Sequence, residues 1–117
     1  MKDNIIVIKT KSFAIRIIRL YQYLTTEKKE FVLSKQLLRS GTSIGANVKE
    51  STYGQTRPDF HTKLTIALKE ASETEYWLEL LHETNYITDD QFNSISADCT
   101  EILKILTSIT KQTKNPK

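Results

Sequence analysis

Three short patterns in this chain carry residue types that could do chemistry. Glu79-Leu80-Leu81-His82 puts a carboxylate and an imidazole on one helical face, the spacing by which helical bundles hold paired metal ions. That chemistry needs a second copy and two more inward carboxylates. His61 has no glutamate three residues before it, and the first apolar stretch has no carboxylate after Asp3, so no metal site is expected. Gly41-Thr42-Ser43-Ile44-Gly45 is glycine-bounded, but it lacks the length and following lysine of a phosphate-binding loop. Cys99 is the single cysteine, on an apolar stripe with no histidine near it in sequence, which reads as a packed thiol and not a nucleophile.

A fourth pattern, Arg57-Pro58-Asp59-Phe60-His61, supplies an arginine and a histidine of the kind helical ribonucleases use, but spaced more closely. No general base has an evident partner at His61 or His82. No enzyme and no cofactor are expected. A ribonuclease using His61 or His82 is the remotest of three functional readings.

The elements that would position these residues are helical. The 117 residues include only three glycines and two prolines, too little punctuation for tight strand turns. At 38% hydrophobic and 26% charged the chain is globular, and its length suits one domain. The expected fold is all-α, an antiparallel up-down-up-down four-helix bundle filling residues 1–117 as a single domain. Its helices are expected at about residues 10–25, 27–55, 58–85 and 88–111. The first could begin earlier, through Ile5 to Ile8.

Apolar spacing supports each helix. Phe13, Ile17, Leu20 and Leu24 recur every three or four residues, as do Leu37, Gly41, Ile44 and Val48. Phe60, Leu64, Ala67, Ala71, Thr74, Leu78 and Leu81 carry the clearest stripe, and Phe92, Ile95, Cys99, Ile102, Leu106 and Ile109 the fourth. Pro58 suits a first helical turn, and Thr88 with Gln91 forms a capping box. Gly41 and Gly45 each cost about 1 kcal/mol against alanine inside a helix. Because the apolar period continues through them, they are expected to let a neighbouring helix approach and not to break the helix.

The third helix carries a second apolar stripe. Ile66, Trp77, Leu80 and Leu81, with Glu70 among them, exceed the arc of about 100° that a lone bundle helix buries. These five residues are the expected oligomer interface. A polar seam of Arg39, Ser43, Asn47, Glu50, Glu70 and Glu73 between helices 2 and 3 would set register and partner choice.

Charge is uneven. Residues 1–57 hold eleven lysines and arginines against four acids, and residues 58–117 hold six against ten. Lys9, Arg16, Arg19 and Tyr23 line one flank of helix 1, and Lys28, Lys29 and Lys35 follow. Cations with an interleaved aromatic can grip phosphates and stack a base, so this flank is the expected nucleic-acid site, for RNA or DNA. The alternative is a protein–protein adapter whose acidic half docks a basic partner. The single thiol and the short apolar N-terminal run suggest the cytoplasm, with no membrane contact and no small-molecule substrate.

Two runs resemble a known family. EFVLSKQLLRSGTSIGANVKE at 30–50 and IALKEASETEYWLELL at 66–81, followed by Asn85-Tyr86-Ile87, are similar to the signature of the 23S ribosomal RNA intervening-sequence proteins. The resemblance spans roughly residues 12–110. It implies a bacterial four-helix bundle assembling as a homopentamer, related to the accessory protein of diversity-generating retroelements, which binds nucleic acid and a reverse transcriptase. Most members have no demonstrated activity. The matched positions are Arg39, Ser43, Asn47, Glu50, Glu70 and Glu73. Ser51 stands where the family often has glycine.

Overall fold

The computed structural model describes residues 2–54 and 56–114, with side chains from Ile5 onward. Four helices follow one another: α1 (Lys2–Thr26), α2 (Leu33–Ser51), α3 (Arg57–Glu83) and α4 (Asp89–Lys114). They form an all-α bundle 49 Å long and 21 Å across, with no strand among the described residues. Each neighbour is antiparallel. Gly41 of α2 faces Ile17 and Gly45 faces Thr10; Ser40 meets Thr74; Cys99 meets Ala71; Arg16 meets Asp98. Packing is closest between α2 and α3 and sparsest between α1 and α4.

The periodic residues fill the interior. Phe13, Ile17, Leu24, Leu37, Ile44, Leu64, Leu78, Leu81, Ile102 and Leu106 are all buried. Each such side chain contributes about 1.5–3 kcal/mol on leaving water.

The starts of the first two helices bear on the expectations differently. Helix α1 takes the earlier of the two starts, running through Ile5 to Ile8 from Lys2, because Ile6 also enters the core and the Thr10 hydroxyl donates to the Ile6 carbonyl at 2.7 Å. Helix α2 begins at Leu33 and not near Glu27. Residues 27–32 form a turn in which Lys29 takes φ 55° and the Glu30 N–H donates to the Leu24 carbonyl. The Glu30 carboxylate then accepts from the N–H groups of Val32, Leu33 and Ser34, closing the open end of α2. Burial pushes the Glu30 carboxyl up, but those three hydrogen bonds together outweigh it and hold the group below its ordinary value. Helix α2 ends at Ser51, short of the expected 55.

Helix α2 runs unbroken through both glycines. A Cβ on Gly41 would lie 2.8 Å from two carbons of Ile17, and one on Gly45 would lie 3.2 Å from the Thr10 carbonyl oxygen. The α1–α2 approach therefore depends on them. Thr56 caps α3 by accepting from the Asp59 N–H. At its far end Asn85, at φ 69°, closes a Schellman turn in which Tyr86 N–H donates to Leu81 and Asn85 N–H to His82. Thr88 and Gln91 exchange the reciprocal bonds of a capping box. No described helix is long and apolar enough to cross a membrane.

Candidate interaction surfaces

The outer flank of α3 is built by residues one to two turns apart. Ile66 is exposed, and Trp77 and Leu80 are half-buried. Leu81 is not part of this flank: it is fully buried in the core, because its position continues the stripe of Leu78. The flank also holds two unpartnered polar atoms. Glu70 Oε1 and Trp77 Nε1 are both shielded from solvent without a hydrogen-bond partner among the described residues. A buried polar atom left unpaired costs about 1–3 kcal/mol. Tyr76, exposed, lies beside Trp77 with ring centroids 5.4 Å apart.

The expected seam does not close within one chain. Ser43 Oγ donates to the Arg39 carbonyl and Asn47 Nδ2 to the Ser43 carbonyl, so both satisfy their own helix. Glu50 pairs with Lys63 at 2.7 Å. No hydrogen bond or ion pair joins Arg39, Ser43 or Asn47 to Glu70 or Glu73 among the described residues. Besides the Glu50–Lys63 pair, α2 and α3 are joined by the buried Thr74 hydroxyl donating to Ser40 Oγ at 2.9 Å. Ser40 falls on the core face of α2 one turn after Leu37, a position that could have been read from the apolar period.

The basic flank of α1 faces α4. Lys9 pairs with Glu101 at 3.1 Å. Arg16 pairs with Asp98 at 2.7 Å and also donates to Ser94. Arg19 is exposed and Tyr23 half-buried, and both line a cleft of about 490 Å³ between α1 and α4. Lys28, Lys29 and Lys35 are exposed around the α1–α2 turn. The seven residues thus form no single continuous cationic patch.

A different pattern emerges when each helix is divided at its midpoint. The half of the bundle that holds the α2–α3 turn comprises residues 5–13, 43–54, 56–69 and 102–114. It carries nine lysines and arginines against two acids, Glu50 and Asp59. The opposite half, residues 14–42 and 70–101, carries six against eleven. Charge is therefore segregated along the 49 Å axis, with Arg16, Arg19, Lys28, Lys29 and Lys35 in the acidic half.

The histidines and cysteine have structural partners. His82 Nε2 meets Asp89 at 2.7 Å while its ring stacks on Phe92, fastening the α3–α4 turn. His61 meets the Thr113 hydroxyl at 2.6 Å, fastening the other end. Cys99 is buried, and burial pushes its thiol up to about 12, with the nearby Glu75 and Asp98 charges acting in the same direction. No group of three potential metal ligands occurs among the described residues.

Residues 2–108 match the sequence profile of the family described as 23S rRNA-intervening sequence protein. The chain belongs to that family. A solved relative supports the 23S rRNA-intervening sequence fold directly: a protein of unknown function from the S23 ribosomal protein family of Bacteroides thetaiotaomicron VPI-5482. It is 61% identical, superposes with a TM-score of 0.93, and the match covers 95% of this chain and 99% of that one. No curated protein gives a significant match. The intervening-sequence signature runs, 30–50 and 66–81, lie on α2 and α3 and on the turn leading into α2.

Proposed function

We propose that this protein is a non-enzymatic, cytoplasmic bundle that self-associates through the α2–α3 flank and holds RNA or DNA on the basic half of its long axis. The carrying observation is the charge segregation: nine cations against two carboxylates in one half. Phosphate neutralisation by clustered lysines and arginines is the main source of sequence-tolerant affinity. The α1 flank of Lys9, Arg16 and Arg19 is a weaker platform, because two of its cations already hold Asp98 and Glu101 and the acids around it repel a polyanion.

Self-association rests on the apolar flank of α3. Exposed Ile66 and Tyr76 beside half-buried Trp77 and Leu80 are the surface that a second copy would cover, while Glu70 Oε1 and Trp77 Nε1, closed to solvent, could be paired only after their side chains turn outward. Arg39 of α2, exposed and unpaired among the described residues, is a cation available to such a contact. Several copies would multiply weak phosphate contacts by avidity, and the pentamer implied by the family resemblance suits that use.

Anisotropy titration of a labelled oligonucleotide between about 50 and 200 mM salt, with light scattering on the same sample, tests both parts. The reading expects a multimer whose affinity falls steeply with salt. A monomer, or affinity indifferent to salt, would refute the corresponding part. Retention of a basic protein partner with no oligonucleotide binding would favour the adapter role of the acidic half.

A further inference from the structure

A cleft of about 640 Å³ lies between α1 and α2 in the basic half. That is within the range of about 300–1,000 Å³ typical of ligand sites. Small residues give it depth. Ala14 of α1 and Gly45 and Ala46 of α2 line it, at the same level where Gly45 passes the Thr10 carbonyl.

Two cations stand on its walls, Lys11 from α1 and Lys49 from α2. Both are exposed, and neither is in an ion pair with a described residue. Glu50 also lines the cleft, but Lys63 holds its carboxylate at 2.7 Å and offsets its charge. Tyr53 lines it too, 74% exposed, with no aromatic or side-chain hydrogen-bond partner among the described residues. Lys49 sits in the last turn of α2, where any cation stabilises the helix terminus. That role explains neither Lys11 nor a tyrosine ring left in water.

The geometry points to a binding site for single-stranded nucleic acid, with Lys11 and Lys49 on phosphates and one unpaired base stacked on Tyr53. This inference rests on the nucleic-acid reading above and gives it a place and a strand preference. A single strand presents free base faces, and stacking on an aromatic ring is sequence-tolerant, as is phosphate contact. A duplex keeps its bases stacked on each other and gains only the lysine contacts. A purely apolar occupant would not use the two cations.

The test is anisotropy with four labelled probes: oligothymidine, oligouridine, an abasic phosphodiester of equal length, and a duplex. Wild-type protein should bind both base-containing strands about tenfold more tightly than the abasic strand. Tyr53→Ala should remove that difference while leaving abasic binding unchanged. Lys11→Gln with Lys49→Gln should weaken every probe and lower the salt slope by about two phosphates. Lys28→Gln with Lys29→Gln, in the acidic half, should change nothing. All are surface positions, and circular dichroism checks the fold. Equal binding of abasic and base-containing strands, or a Tyr53→Ala protein identical to wild type, overturns the base site while leaving phosphate binding intact. Failure to bind any probe at low salt overturns both the site and the reading beneath it. A Tyr53→Ala change that lowers the light-scattering mass but not oligonucleotide affinity assigns the cleft to contact between copies and overturns the proposal.

Discussion

Lys63 Nζ lies 2.7 Å from Glu50 Oε1, so the acid that lines the α1–α2 cleft is neutralised by a residue of α3 that does not line it. The pair is partly exposed and contributes little to stability, about 0–1 kcal/mol. Its effect is on the charge of the cleft. Lys63→Met should weaken oligonucleotide binding severalfold at low salt. Adding Glu50→Gln should restore most of it, because the acid that Lys63 offset is then gone. Anisotropy on the single and double variants reads this directly, and a double variant as weak as the single one would count against it.

Gly41 sets the α1–α2 spacing. Gly41→Ala gains about 1 kcal/mol of helix propensity but drives a methyl against Ile17, an overpacking cost of about 1–3 kcal/mol. The net outcome expected is destabilisation in urea unfolding. Ile17→Ala in the Gly41→Ala background should be less damaging than Ile17→Ala alone.

The Thr74–Ser40 hydrogen bond is fully buried. Thr74→Val keeps the shape but takes away the donor to Ser40 Oγ, and should cost about 1–3 kcal/mol. Thr74→Val with Ser40→Ala removes both hydroxyls, and should cost less than the two single changes together. A denaturant double-mutant cycle measures the coupling.

Glu30 gives a pH signature. Its carboxyl is held below its ordinary value of 4.5, so its stabilisation is fully present above that pH and is lost as pH falls through the lower folded value. Glu30→Gln should lose about 1 kcal/mol at neutral pH. The gap between wild type and variant should then narrow as the pH falls below 4.5 and Glu30 takes up its proton, seen as converging melting temperatures.

The core of α3 and α4 was legible because Leu64 to Leu81 and Phe92 to Ile109 keep an unbroken three-four spacing that only a helix uses. The capping box at Thr88 was legible for the same local reason, and Pro58 marked the start of α3 to within one residue, though the cap itself is Thr56. The start of α2 was not, because Glu30 closes that helix with a side chain reaching two to four residues forward, and helix propensity alone carried the expectation back to residue 27. The charge pattern was hidden more deeply. Antiparallel helices fold each half of the sequence back over the full length of the bundle, so a basic first half and an acidic second half mix. Lys104, Lys111 and Lys114 of α4 come to lie in the same half of the bundle as Lys49 and Arg57, far away in sequence. Lys9 and Arg16 read as free cations until α4 placed Glu101 and Asp98 beside them.

Amide chemical-shift mapping with oligothymidine tests the basic half most directly. Shifts should concentrate at residues 43–54, with Lys11 and the last turns of α4 also moving and residues 26–36 unmoved. Shifts centred on the α1–α2 turn around Lys28 and Lys29, or none at low salt, would contradict it.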